Sequence, residues 1–202
     1  MCILVKPCNH WVGYHIVTRL LDEGYQVDGI LDKQIDTGLE DFFGRNSHFQ
    51  KVHKVKNDYD FAIIIDSLET EELKQSAKKV LRIETDSNQR KTSDNDNACI
   101  SVISVPYLIG EGMKINETGL FIDGQFIPFE NNDWKDKAIY IEGFLNVFIQ
   151  WIKRSNPPKW IEVISTNNRT PNTKVEKKQI LLENRDINEV VKKIQLFNKR
   201  LP

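Results

Sequence analysis

An apolar run, Ile3-Leu4-Val5, breaks at Pro7-Cys8-Asn9-His10 and gives way to Val12, Ile16, Val17, Leu20 and Leu21 at helical spacing, with Gly24 as the stop. Val27, Ile30 and Leu31 then mark a second apolar stretch within 25–31. Strand, helix and strand within about 30 residues make one βαβ unit, which requires parallel pairing and a right-handed crossover. A parallel pair needs cover on both faces, so the rest of the chain has to supply further buried strands and the helices that hide them.

It does so along most of its length. Residues 61–65 read Phe-Ala-Ile-Ile-Ile, a continuous run typical of a strand buried on both sides, and 80–84 and 100–105 are two more strands. The stretch 36–56 is mixed; Leu39, Phe42, Phe43 and Phe49 predict a short helix, followed by a weak strand at 52–55. A helix is expected over 69–79. Residues 86–98, rich in Asn, Asp, Ser and Lys, can bury almost nothing and predict an exposed connector. Beyond Pro106 the pattern changes. Asp123-Gly124 between two short apolar runs predicts a two-residue hairpin, because that turn requires positive φ at its centre. Phe144, Leu145, Phe148, Trp151 and Ile152 predict a helix ended before Pro157-Pro158, with a strand from Trp160 to Ile164 after it. A last helix is capped by Asp186, with Glu189 three residues on. The expected fold class is α/β: a Rossmann-like doubly wound parallel sheet over 1–113, with a reduced C-terminal lobe over 114–202 packed on it as one compact unit.

Charge narrows the function. The 28 Lys+Arg and 29 Asp+Glu give a formal net charge of -1, which removes the global argument for a nucleic-acid or membrane-surface binder. The C-terminal lysines, Lys192, Lys193 and Lys199 among them, are interleaved with Glu176, Glu183 and Glu189 and read as a solvated helix face. No apolar run approaches the ~20 residues of a membrane span. Cys2, Cys8 and Cys99 form no CxxC pair and follow no signal peptide, so a cytoplasmic setting is expected. His10, His15 and Cys8 match no zinc spacing, and the readings of His10 and His15 as a turn and a helix-surface histidine are preferred. No metal site is expected.

The alternating series resembles the extended short-chain dehydrogenase/reductase family, the nucleotide-sugar epimerases and dehydratases. Residues 3–21 are similar to that family's first strand, GxxGxxG turn and helix. The segment Ser104-Val105-Pro106-Tyr107-Leu108-Ile109-Gly110-Glu111-Gly112 resembles its later strand, arginine-proline and glycine stretch. Asp123-Gly124 and Ala138-Ile139-Tyr140-Ile141-Glu142 resemble its GDG and "YV-acidic" segments, in the same order. The resemblance implies a dinucleotide site formed by Asn9, His10, Trp11, Val12 and Gly13, with Asp32 near the ribose.

Two departures bear on function. Aligned on Val5 and Gly13, the family's first two glycines fall on Pro7 and His10, and only Gly13 remains. Proline removes an N–H donor and histidine brings a side chain into the pyrophosphate's space, which disfavours the usual pose. Asp32 lies one position late for the ribose, and an exposed loop aspartate accounts for it equally well. The family's Tyr-x-x-x-Lys helix, whose tyrosine is the general base, belongs between the strands at 80–84 and 100–105. Here only 85–99 joins them, without a tyrosine, and Thr85 and Ser87 stand near the family's catalytic hydroxyl without their partners. The expectation is a contracted, non-catalytic pseudoenzyme serving regulation or protein interaction, with a nucleotide bound in an altered pose left open, and possessing no catalytic residues. No cofactor is expected, NAD(P) being the one the resemblance leaves open. The alternative is an NAD(P)- or nucleotide-sugar-dependent epimerase, dehydratase or reductase with relocated groups. With the Tyr-Lys helix gone, the sheet is expected to lack cover, and Leu68, Leu73 and Ala77 to meet a second copy or another protein.

Overall fold

The computed structural model describes residues 1–35, 37–68, 70–85, 99–122, 124–154, 157–166, 177–181 and 185–201. Strand β1 (Cys2–Lys6) sends Ile3 and Val5 to one face and Leu4 to the other, the period-2 alternation of a pleated strand. Helix α1 (Trp11–Asp22) buries Val12, Ile16, Val17 and Leu20 on one stripe and stops at Gly24, whose φ of 81° suits a residue without Cβ. Strand β2 (Gln26–Gly29), a 3-10 turn (Leu39–Phe42) and β3 (Phe49–Lys51) complete the first half. Strand β4 (Tyr59–Ile65), α2 (Glu71–Ser76), β5 (Ala77–Glu84) and β6 (Ile100–Ser104) follow.

The C-terminal part begins with β7 (Leu108–Ile109), then the hairpin of β8 (Gly119–Ile122) and β9 (Gln125–Pro128), with Gly124 at φ 73° in its turn. Strand β10 (Ile139–Tyr140) pairs with β7 and runs directly into α3 (Ile141–Lys153). Strands β11 (Trp160–Ser165) and β12 (Lys177–Leu181) precede α4 (Ile187–Asn198). Asp186 caps α4 as expected, its carboxylate accepting the Asn188 N–H.

Eight strands form one sheet in the order β12-β11-β6-β5-β4-β1-β2-β3, every neighbouring pair parallel. The chain moves outward from β1 through β2 to β3, then restarts on the other side with β4. The crevice at the C-terminal ends of β1 and β4 is therefore the topological switch point, where open α/β sheets hold ligands. One face packs its Ile and Val side chains on residues of α1, α3 and α4, with Phe144, Phe148 and Trp151 wholly inside. The α/β Rossmann-like expectation holds.

Two local expectations change. The helix expected over 69–79 is confined to α2, and Ala77 opens β5 instead, because residues 77–83 complete a ladder with β4. The weak strand lies at β3 rather than 52–55, with Phe49 opposite Val27. Strand β12 was not anticipated: Lys177-Lys178-Gln179 has no apolar alternation. Strand β11, beyond residue 113, pairs with β6 and extends the main sheet.

The second face of the sheet is not bare. Leu4, Ala62, Ile64, Val80, Ile100 and Val102 on that face are buried within the chain, and Leu73 of α2, 2% exposed, packs in the same cluster. The same face holds charge: Arg82 and Glu84, two positions apart on β5 and both buried, pair at 3.0 Å.

Candidate functional site

The turn between β1 and α1 lies at the switch point, and two of its residues are bonded to the end of β2 and the loop after it. Pro7 has no N–H. The Cys8 N–H donates to the Ile30 carbonyl at 2.8 Å, tying the turn to the end of β2. Asn9, 1% exposed, donates from Nδ2 to the carbonyls of Asp32 at 2.9 Å and Ile35 at 2.7 Å, while its Oδ1 accepts the Asp32 N–H at 2.8 Å. Thr37 adds a hydroxyl bond to the Asn9 carbonyl. Asn9 is thus a strut between two loops rather than a free ligand-binding group.

His10 takes the N-cap position of α1 but makes no side-chain cap. Burial lowers its pKa against the pull of Asp66 and Asp32, so the ring is held neutral, and its Nδ1 has no hydrogen-bond partner. Trp11 is half-buried beside Gly110, and Val12 is in the core. Gly13 is required by packing: a Cβ there would lie 2.1 Å from the Pro7 carbonyl oxygen. Cys8 is fully buried, and burial pushes its thiol up to about 12, which leaves no thiolate at neutral pH. Among the described residues no group of three His, Cys, Asp or Glu side chains could hold a metal ion, and no helix is long and apolar enough to cross a membrane. His48 and His53 are exposed.

At the ends of β4 and β5, Thr85 gives its N–H and its hydroxyl to the two oxygens of Asp66, each at 2.7 Å. The hydroxyl is engaged in joining two strands. Ser87 lies outside the described residues. Of the three residues expected at an interface, Leu68 is 47% exposed, Leu73 is in the core and Ala77 is half-buried at the start of β5.

Beside this turn lies a cavity of about 600 Å³, lined by Asn9, by Ile30, Leu31, Asp32, Lys33 and Ile35 after β2, by Glu40 of the 3-10 turn, and by Lys51, Val52 and His53 around the end of β3. Asp32 and Asn9 were expected near a ligand; Glu40, Lys51 and His53 were not. They belong to the poorly patterned stretch 36–56, and no motif joins them.

A second polar cluster ties the C-terminal part to α1. Tyr140, wholly buried, donates its hydroxyl to Glu111 at 2.7 Å and accepts from the Lys193 ammonium at 2.6 Å. Lys193 also reaches Glu142 and Glu111, both at 3.0 Å. Arg185 pairs with Glu142 at 2.6 Å and lies over the Tyr140 ring. His15 contacts Glu111 at 2.9 Å through the backbone carbonyl and 3.6 Å through the carboxylate. Burial and the carboxylates of Glu111 and Glu142 push the Tyr140 phenol well above its ordinary range, against the opposing pull of Lys193. This is the reverse of what a tyrosine base needs. The network is a clasp, and sequence reasoning missed it because its members come from α1, the loop after β7, β10, α3 and α4.

No family model matches the sequence, and neither does any curated protein. Solved structures do. Gre2 of Candida albicans in complex with NADPH superposes with a TM-score of 0.51 at 11% identity, covering 80% of this chain and 77% of that one. The yeast methylglyoxal/isovaleraldehyde reductase Gre2 complexed with NADPH gives 0.41 at 16% identity, and this chain spans 56% of its length while 55% of this chain is covered. The first likeness establishes a shared fold.

Proposed function

We propose that the protein is a non-catalytic Rossmann module, a contracted extended short-chain dehydrogenase/reductase scaffold with a regulatory or protein-interaction role. One observation carries the proposal: at the corner where a dinucleotide's phosphates would lie, Pro7 has no N–H, the Cys8 N–H is already bonded, and Asn9 spans two loops next to His10. These residues do not suit a dinucleotide in its usual pose. The second support is chemical. The connection 85–99 holds no tyrosine, and Tyr140, which does meet a lysine, is buried with its phenol stabilised in the protonated form.

The module associates with a second copy or a different protein. Leu68 is the expected contact residue that remains on the surface. A cytoplasmic setting accords with three free cysteines. The competing reading, an NAD(P)- or nucleotide-sugar-dependent enzyme with relocated groups, draws on the 80% overlap with an NADPH-complexed structure. Near-ultraviolet absorbance of the purified protein, followed by NADPH consumption with methylglyoxal and isovaleraldehyde as probes, separates the two. Neither bound dinucleotide nor consumption above background is expected; turnover would overthrow the non-catalytic reading. Sedimentation at micromolar concentration tests self-association, and Leu68→Glu should weaken it.

A further inference from the structure

Phe42 of the 3-10 turn is 56% exposed, although its ring meets those of Tyr14 on α1 and Phe197 on α4 at 5.7 and 5.6 Å between centroids. Leu196, beside Phe197 on the last turn of α4, is 60% exposed. Aromatic side chains held in place yet turned outward are the usual anchors of a protein contact. The same turn of α4 forms one wall of a cavity of about 430 Å³ through Gln195, Asn198 and Lys199; Ile115, Asn116 and Glu117 form the other. Internal bonds fix the two walls. Asn198 accepts the Gly112 N–H at 2.9 Å and donates to the Met113 carbonyl at 2.8 Å, and Gln195 donates to the Asn116 carbonyl at 3.3 Å. Ile115 and the methylene stems that glutamine and lysine carry give the cavity apolar wall for a phenyl ring.

Charge matches the protruding ring to the cavity. Asp41 and Arg45 flank Phe42, while Lys199 and Glu117 line the cavity; all four are exposed and none forms an ion pair among the described residues. A face carrying a knob and a hole, each with charges opposite to the other's, is self-complementary, as a two-fold contact requires.

We propose that a second copy of this chain docks on this face by two-fold symmetry, each Phe42 entering the other copy's cavity, with Asp41 meeting the partner's Lys199 and Arg45 meeting the partner's Glu117. The inference rests on the second-copy branch of the reading above and gives it a face other than that of Leu68.

Sedimentation velocity of the full chain carrying Leu68→Glu, at up to about 100 μM, isolates this face from the Leu68 contact. A dimer is expected. Phe42→Glu should weaken it about a hundredfold, since one substitution removes two anchors from a two-fold contact. Asp41→Lys and Lys199→Asp should each weaken it about tenfold or more, because each turns two attractions into repulsions. An equimolar mixture of those two variants should dimerise again, since every altered charge then faces its opposite. Circular dichroism checks the fold of each variant, and mixing would not cure a folding defect. A chain that stays monomeric, a dimer indifferent to Phe42→Glu, or a mixture no tighter than its separate components would overturn the inference. In each case the Leu68 contact and the non-catalytic reading stand or fall on their own tests above.

Discussion

Replacing Asn9 with alanine tests whether the turn after β1 is held shut by the protein itself. The substitution removes three hydrogen bonds of 2.7 to 2.9 Å, two donated to the carbonyls of Asp32 and Ile35 and one accepted from the Asp32 N–H, from a side chain that is 1% exposed. At about 1 kcal/mol net each, with solvent reaching part of the exposed loop, the expected loss is about 2 to 4 kcal/mol. That is a large fraction of the ~5–15 kcal/mol that holds a typical domain folded. With a urea dependence of about 2 kcal/mol per molar, the unfolding midpoint should fall by roughly 1 to 2 M. Asn9→Asp sharpens the test: it keeps size and one acceptor but sets a carboxylate against two carbonyl oxygens, so it should destabilise at least as much as alanine. Urea titration followed by tryptophan fluorescence gives both numbers. Midpoint shifts below about 0.3 M for both variants would show that Asn9 is not the strut, and the turn would be free to open for a ligand.

The remaining predictions concern stability. Burial raises the Glu142 carboxyl, but hydrogen bonds from Lys193 and Arg185 outweigh it and hold the folded value at about 2, against 4.5 for the free group. Its contribution is therefore fully present above pH 4.5 and is lost as pH falls towards 2; Lys193→Met should flatten this acid limb in pH-dependent unfolding, and an unchanged limb would refute the assignment. Gly13→Ala puts a Cβ 2.1 Å from the Pro7 carbonyl oxygen. Overpacking of about 1 to 3 kcal/mol should lower the melting temperature by roughly 3 to 10 °C, whether or not any nucleotide is present. Arg82→Met leaves Glu84 buried without its guanidinium and should cost about 3 to 5 kcal/mol, while Arg82→Met with Glu84→Met should recover part of it. Strict additivity of the single variants in thermal scans would show that the pair is not coupled.

The sheet was legible because burial on both faces leaves a mark that needs no context: Ile63-Ile64-Ile65 fits little else, and Asp186 before Ile187 and Val190 announces a helix start. Lys177-Lys178-Gln179 carries no such mark, since β12 is an edge strand whose pairing with β11 is decided by tertiary structure. Ala77-Lys78-Lys79 favours helix locally, yet the ladder to β4 prevails, with Lys78 paired to Asp60 at 2.8 Å. The bonds of Asn9 were not legible, because a sequence shows that a side chain can donate but not that the Asp32 and Ile35 carbonyls stand within reach. Glu40 and Lys51 became a pair of site residues only when the chain returned from β2 to β3. Pro7 and His10 were legible for the opposite reason: what a proline lacks and a histidine adds holds in any context.

The all-parallel order of the main sheet also governs how the chain reaches its fold. No pair within those eight strands can zip up from a tight turn; β6 meets β11 only after the hairpin and α3 have been made. Topologies dominated by distant pairings close loops before any contact rewards them, and they fold at the slow end of the range. On a ribosome, β1 emerges before the other strands of this sheet although it belongs inside it, and its second edge stays open until β4 appears. The apolar edge of β6 stays open longer still, until β11 follows α3. Open strand edges of this kind recruit other chains. The exposure to aggregation is therefore greatest during synthesis, when a holding chaperone has the most to do.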